Sequence, residues 1–438
     1  MLRSKPSTSR EAPIVSAVCE DGSIVETVHA VSSDPVRLCV YRDGSWRFQD
    51  ALDVSGRRRR PYSAENNLIR HRVVLFPAEP AEYGSELELV ARVQAFIHDH
   101  VDVSPLFEQI AAYYVLLTWV YDAFSELPYL RVRGDFGSGK SRFLMTVGSL
   151  CYKAIFASGA STVSPIFRIL DEFQGTLVLD ESDFRMSDEK ADVIKILNNG
   201  NARGFPVLRS EVVNQREFNP RAYTVYGPKL IATRGSFADR ALESRCITEN
   251  LGHRQVRRDI PITLEDSFGS TALELRNQLL LYRFRHRASA AVTLRPMEPS
   301  IEPRLQQVYA PLLGVIGEQP VAAALLDMAR DTSRQLVADR GMDAEAHVLE
   351  VLLGLVGEAP DNVSLRQVAA AFLQRFGEEY EWKVSSRWIG AIIRNTLQLK
   401  PRKSHGIYVL PASEYGKVRL LCERYGITRG EEGAVNSP

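Results

Sequence analysis

Two hydrophobic periods divide the chain. Over residues 14–80, apolar positions come in short alternating runs broken by turn residues, the period-2 signature of half-buried strands. Residues 36–41, then Arg42-Asp43-Gly44, then residues 45–48 predict a β-hairpin, because Asp-Gly supplies the positive φ that a tight turn needs. The run Arg57-Arg58-Arg59-Arg60, closed by Pro61, is expected to be a charged, solvated loop. Pro77, Pro80 and Gly84 mark a boundary, so residues 1–83 are expected to form a small β-rich module of open purpose.

Helical spacing takes over at 85–100 and 104–124, then yields to strand–helix alternation. Residues 127–132, 176–179 and 229–233 read as strands, with helices such as 142–151 and 191–198 between them. That alternation predicts a parallel sheet covered by helices, an α/β core with its helical lead-in over 84–260. Residues 261–341 read as a helical lid, and 429–438 as a flexible tail. Between them, 342–428 predicts helices over 343–356, 364–376 with Ser364 as N-cap, and 385–396. Strands at 397–400 and 407–410 then flank a loop, Pro401-Arg402-Lys403-Ser404-His405-Gly406, the pattern of a winged helix.

Composition narrows the classes. With 438 residues, 45% apolar and 25% charged, the chain reads as a globular protein of about three domains, not a disordered chain, collagen or membrane bundle. Lys plus Arg and Asp plus Glu are both 54, so any nucleic-acid contact must come from local basic patches. Five scattered cysteines without a CxxC pair predict reduced thiols and a cytoplasmic setting. Residues 1–13 lack the apolar core of a signal peptide, and the apolar run 110–121 is too short to span a bilayer and reads as a buried helix.

The candidate chemistry begins at Gly134-Asp135-Phe136-Gly137-Ser138-Gly139-Lys140-Ser141, which fits the phosphate-binding pattern GxxxxGK[ST] between a strand and a helix. Glycines let backbone N–H groups curl around phosphate oxygens, and the helix start adds positive potential. Gly134, Gly137, Ser138 and Gly139 are therefore expected to cradle ATP, with Lys140 reaching the β- and γ-phosphates and Ser141 ligating Mg²⁺. Downstream, Thr176-Leu177-Val178-Leu179-Asp180-Glu181 is an apolar strand ending in two acids, with Asp180 to hold Mg²⁺ and Glu181 to polarise the attacking water. Thr233 ends the next strand and is placed to orient that water. Arg245 is the candidate arginine finger for a neighbouring subunit, with Arg240 the runner-up. Arg304, at the start of a helix, is a candidate second sensor. His98-Asp99-His100 is expected to be a polar helix end and no metal site.

Taken in order, these motifs resemble those of the AAA+ ATPases, and most of all the MCM-like helicase modules of replication proteins carried by phages and mobile elements. The resemblance covers about residues 85–426 and rests on the Walker loop, Asp180-Glu181, the strand ending in Thr233, and Leu242-Glu243-Ser244-Arg245-Cys246, which is similar to the Ser-Arg-Phe finger motif of MCM helicases. It implies an AAA+ P-loop sheet with a helical lid, a homohexameric ring with ATP sites between subunits, and translocation on DNA. Where that family usually carries asparagine as first sensor, this chain has Thr233.

DNA contacts are expected at two places. Strand-like runs at 205–209 and 222–226 predict a hairpin inserted before the sensor strand, with Arg209 and Arg216 suited to backbone phosphates. In the C-terminal unit, Arg387, Arg394, Arg402 and Lys403 fall in a stretch, 383–412, with six bases and no acid. The sequence thus points to an ATP-dependent DNA helicase or translocase. An initiator or loader that remodels a partner without unwinding, and a DNA-binding regulator, are the alternatives.

Overall fold

Five parallel strands lie at the centre of the structure, a computed structural model describing residues 12–30, 34–157, 163–180, 187–210, 220–237, 239–253, 255–290, 298–341, 344–358, 362–376 and 385–427. In sheet order they are Cys246–Asn250, Tyr129–Arg133, Lys229–Thr233, Leu177–Asp180 and Ile155–Ala157. The three inner strands are buried over most of their length, as parallel strands covered by helices must be, with Arg131 the charged residue in the middle of one of them. This is the parallel sheet covered by helices that the strand–helix alternation predicts. Three of the five strands are those the hydrophobic runs predict. Ile155–Ala157 and Cys246–Asn250 go unpredicted because one is only three residues long and the other ends in Thr-Glu-Asn.

The sheet order sets the site. Lys229–Thr233 separates the strand leading into Gly134 from the strand ending in Asp180. The carboxyl ends of all three meet at one edge, where open α/β sheets bind ligands. Behind the sheet, Pro105–Val120 is buried along nearly its whole length, N-capped by Ser104 and opened by Pro105, so the 110–121 run is a core helix. Among the described residues, no helix is long and apolar enough to cross a membrane. Glu86–His100 begins with a reciprocal capping box between Ser85 and Glu88.

Near the N-terminus, Ser16–Val18, Ile24–Val28, Arg37–Arg42 and Ser45–Gln49 form an antiparallel sheet in chain order. The predicted hairpin turns at Asp43 (φ 49°) and Gly44 (φ 81°). The arginine run corrects an expectation: Arg57–Arg60 is a strand, antiparallel to Leu52–Val54 and parallel to Ala12–Pro13. Ser55 and Gly56, both at positive φ, close the turn before it, so the backbone pairs while most of the guanidinium groups stay in water.

The chain packs as two compact units, Met1–Asp327 and Met328–Pro438. In the second, Ala344–Glu358, Leu365–Phe376, Ser386–Ala391 and Tyr415–Arg424 surround a small sheet of Asn362–Ser364, Ile407–Pro411 and Arg402–Ser404. Ser364 caps as predicted, accepting from the Gln367 N–H while the Gln367 side chain accepts from the Ser364 N–H. The predicted helix 385–396 continues past Ala391 as a wider π turn through Thr396. The predicted strand 397–400 is absent. Gln398 takes a left-handed conformation (φ 54°), and Leu397 and Leu399 drop into the core on either side of it. The ribbon instead turns at His405-Gly406, so Arg402 and Lys403 lie in a strand, not in a loop.

Candidate functional site

The phosphate-type loop joins Tyr129–Arg133 to the helix Lys140–Gly148. Gly137 (φ 77°) and Gly139 (φ 94°) hold conformations that side chains disfavour. A Cβ on Gly134 would lie 2.6 Å from Ser138 Oγ and 2.9 Å from the Leu251 carbonyl oxygen. Lys140 folds over the loop, donating from Nζ to the carbonyls of Gly134 and Asp135, each at 2.7 Å. Burial lowers the Lys140 pKa; the Asp180 carboxylate opposes that shift, and Arg234 adds to it.

Ser141 Oγ donates to Asp180 Oδ2 at 3.2 Å, closing the loop onto the next strand but one. Two buried hydroxyls at this edge, Ser138 Oγ and Thr233 Oγ1, have no hydrogen-bond partner among the described residues. The Thr233 carbonyl accepts from the Gly134 N–H at 3.2 Å, fixing the sensor position against the loop. These donors fit a triphosphate with magnesium: backbone N–H groups, an ammonium and a hydroxyl for phosphate oxygens, and a serine–carboxylate pair for the ion. Glu181 lies outside the described residues.

At the opposite end of the sheet stand Arg245 and Arg304. The Arg245 carbonyl accepts from the Tyr129 N–H, so Arg245 sits where the strands begin. From Tyr129 to Arg133 is about 13 Å of strand, which separates Arg245 from its own loop. Arg245 Nη1 donates to Asn198 Oδ1 at 2.6 Å, and its buried Nε has no partner among the described residues. Arg304 Nη2 holds the Ala241 carbonyl at 2.7 Å. Both arginines line one cleft of about 390 Å³ with Glu126, Asn198 and Phe205. Burial, then the charge of Arg245, lowers the Arg304 pKa. Arg240 is exposed on the short helix Arg240–Glu243.

Two residues that motif reading missed hold the segment carrying Arg245 in place. Arg131, fully buried in the Walker strand, forms a bidentate pair with Glu243, two residues before Arg245. Asn198, which ends the helix Ser187–Asn199 one residue from its terminus, bridges Arg245 to Asp239. A charged residue inside an otherwise apolar strand is the signal that marks Arg131.

The predicted insertion is an antiparallel pair, Val207–Ser210 with Pro220–Tyr223. Arg209 turns back onto its own scaffold, donating to Asp192 at 2.8 Å with its guanidinium 4.6 Å from the centre of the Phe167 ring. Arg216 lies outside the described residues. The pair is anchored to the sensor strand by Lys229, whose buried Nζ donates to the carbonyls of Val225 (2.8 Å) and Gly227 (2.7 Å), and burial pulls its pKa down to about 7.

In the second unit, Arg387, Arg394, Arg402 and Lys403 are all exposed, but they do not converge. Lys403 pairs across the ribbon with Tyr408, and Arg394 lies 5.7 Å from the Tyr408 ring centre, making one basic and aromatic face. Arg402, one residue away, points from the other face toward Asn362. Tyr408, half exposed, was not predicted; the alternation Ile407-Tyr408-Val409-Leu410 turns it outward.

His98 and His100 end the Glu86–His100 helix as expected. The first contacts Glu108 at 2.9 Å, and the second contacts the Phe96 carbonyl at 2.7 Å. All five cysteines are free thiols.

No family model matches the chain. No curated protein matches it. Among solved structures, it is similar to the NrS-1 C-terminal region in its apo form, at 11% identity and a TM-score of 0.37, over 88% of this chain and 95% of that one. It is also similar to the active helicase Cch of SCCmec type IV, at 11% identity and a TM-score of 0.41, over 93% and 80%. The Aeropyrum pernix ORC1 protein in complex with DNA matches at 15% identity and a TM-score of 0.23, over 74% and 94%.

Proposed function

We propose that the chain is an ATP- and Mg²⁺-dependent DNA translocase, a replicative helicase working as a ring whose nucleotide sites are each completed by the adjoining subunit. One observation carries this reading. Lys140, Ser141 and Asp180 gather at one end of the sheet, while Arg245 and Arg304 share a cleft at the other. An arginine pair so far from its own phosphate loop serves hydrolysis only if a second copy presents its loop to that cleft.

Within this reading, Lys140 leaves the Gly134 and Asp135 carbonyls to hold the β- and γ-phosphates. Ser141 and Asp180 would hold magnesium, which would supply positive charge to offset the negative charge that develops during phosphoryl transfer. Glu181 takes the proton of the attacking water, and Thr233 Oγ1 orients that water. Arg245 of the neighbour, with Arg304 beside it, stabilises the transferring group. Lys229 transmits movement of the sensor strand to the base of the inserted hairpin. The C-terminal unit acts as a winged helix and holds DNA through the Arg394, Lys403 and Tyr408 face.

An ATPase assay with and without single-stranded DNA, combined with particle mass and unwinding of a forked duplex, tests the proposal. DNA-stimulated turnover by a ring that separates strands is the expected result. Stimulated turnover without separation would assign the chain to initiators or loaders, and a lone protomer that does not bind ATP would end the reading.

A further inference from the structure

Away from the nucleotide edge, a cavity of about 400 Å³ opens beside His29, the 69–76 segment and the first turn of the Phe268–His286 helix. Two of its lining side chains, Arg72 and Arg276, are cationic, and a third is the imidazole of His29. Arg276, only 8% exposed, spends Nε on the Phe76 carbonyl (3.2 Å) and Nη1 on the Ser149 carbonyl (2.7 Å). Its Nη2 has no partner among the described residues. Arg72, exposed and held at φ 53°, makes no ion pair among the described residues. Burial, together with the charge of Arg72, pushes Arg276 down to about 10. His29 presents a buried Nδ1 with no partner among the described residues.

The acids nearby do not resolve this. Asp266 lies on the exposed rim, and burial lowers the His29 pKa although Asp34 opposes that shift; neither acid pairs with either arginine among the described residues. Two guanidinium groups that raise each other's energy, with an unpaired imidazole nitrogen beside them, are stabilised by one anion with several oxygens. Ile69, Val74 and Leu273 make part of the remaining wall apolar, beside the polar Ser149 and Ser270, and the volume is that of a small-molecule site, not of a lone ion.

We propose that this cavity binds a small organic phosphate of nucleotide size, its phosphate on Arg72, Arg276 and His29 and its apolar body against Ile69, Val74 and Leu273. The site has a path to the catalytic edge. Ser149, whose carbonyl Arg276 holds, is the C-cap of the Lys140–Gly148 helix, and the other end of that helix carries the phosphate loop. A ligand that draws on Arg276 therefore acts on the helix that positions Lys140 and Ser141.

The test uses the full chain carrying Lys140→Ala, titrated calorimetrically with AMP and, separately, with inorganic phosphate. The expected result is one AMP per chain, bound at least tenfold more tightly than phosphate. Adding Arg72→Gly, which removes the charge while suiting the backbone, should weaken AMP at least tenfold, and His29→Asn should weaken it severalfold. The proposal is overturned if AMP does not bind, if it binds equally well with Arg72→Gly, or if phosphate alone binds as tightly as AMP.

Discussion

Arg245 donates from Nη1 to the side-chain oxygen of Asn198 at 2.6 Å, and Asn198 in turn donates to Asp239 at 3.0 Å. The guanidinium is thus held at the start of the sheet, facing a cleft and not its own phosphate loop. On the proposed function, Arg245 stabilises transferring charge and must be held within a fraction of an ångström, which would make Asn198 its positioning residue. Arg245→Ala should lower kcat by about 10³-fold or more with nucleotide affinity changed only severalfold. Asn198→Ala should cost about tenfold in kcat. Mixing Arg245→Ala with Glu181→Gln subunits should restore part of the turnover, because some interfaces then pair an intact loop with an intact finger. Turnover of the mixture no higher than either variant alone would place the arginine outside a shared site.

On the proposed function, Lys140 and Asp180 act on different parts of the same substrate complex and should fail differently. Lys140→Ala removes the ammonium that now bridges two loop carbonyls, so both nucleotide affinity and turnover should fall, the latter by 10²-fold or more on the scale of a lost charge-stabilising group, about 3 kcal/mol. Asp180→Asn keeps the hydrogen bond from Ser141 but loses the charge for the ion. Its nucleotide affinity should become insensitive to Mg²⁺ while turnover is lost. Nucleotide binding measured across a magnesium titration separates the two, and a Lys140→Ala protein with unchanged turnover would remove the site altogether.

The parts of this molecule legible in the sequence are those where local chemistry and geometry agree. The loop at Gly134 was legible because its glycines at 137 and 139 take the positive φ that the pattern requires, and the strand Lys229–Thr233 because the apolar run Leu230-Ile231-Ala232 fills its middle. Ser364 was readable as a cap because Gln367 answers it three residues later. What escaped depends on partners distant in sequence. Arg57–Arg60 looks like a solvated loop by composition and becomes a strand through Ala12–Pro13 and Leu52–Val54. The placement of Arg304 beside Arg245 follows from a helix docking 63 residues away on Ala241, which no local pattern encodes. Leu397–Lys400 failed for the opposite reason: an apolar alternation was satisfied by a turn that buries both leucines, with no strand needed.

The ion-pair cluster around Arg283 should weaken in acid. Glu26, on the fully buried strand Ile24–Val28, meets Arg283 Nε at 2.7 Å and the Tyr152 hydroxyl at 2.7 Å. Arg283 also grips Asp122 at 2.7 Å. Burial raises the Asp122 pKa, but Arg283 and Arg287 outweigh it and hold the carboxyl well below the usual carboxylate range. A carboxyl depressed in the folded state contributes stability that is complete above its unfolded pKa of ~4 and declines as pH falls below it. Asp122→Asn should therefore cost about 3 kcal/mol at neutral pH, because Arg283 loses a buried partner, and should flatten the fall in stability below pH ~4. Urea midpoints measured from neutral pH down to pH ~2.5 check this. A variant whose pH dependence parallels the wild type would show that Asp122 does not carry the linkage.

Lys403 and Tyr408 face the same side of one ribbon, yet they should contribute to DNA binding in ways that salt distinguishes. An ammonium on a phosphate displaces a counterion, so Lys403→Ala should weaken binding at low salt and reduce the slope of log K against log salt by about 1. A tyrosine ring stacks on a base without displacing an ion, so Tyr408→Ala should cost about 1–3 kcal/mol and leave the slope unchanged. Arg394, with its guanidinium near the Tyr408 ring, should show both effects, since removing it takes away a charge and a support for the ring. Arg402→Ala should change affinity least of the four, because its side chain leaves from the opposite face toward Asn362. Equilibrium titrations of the full chain with single-stranded DNA at several salt concentrations give all four slopes. If Arg402→Ala weakened binding as much as Lys403→Ala, the contact would belong to the ribbon's other face.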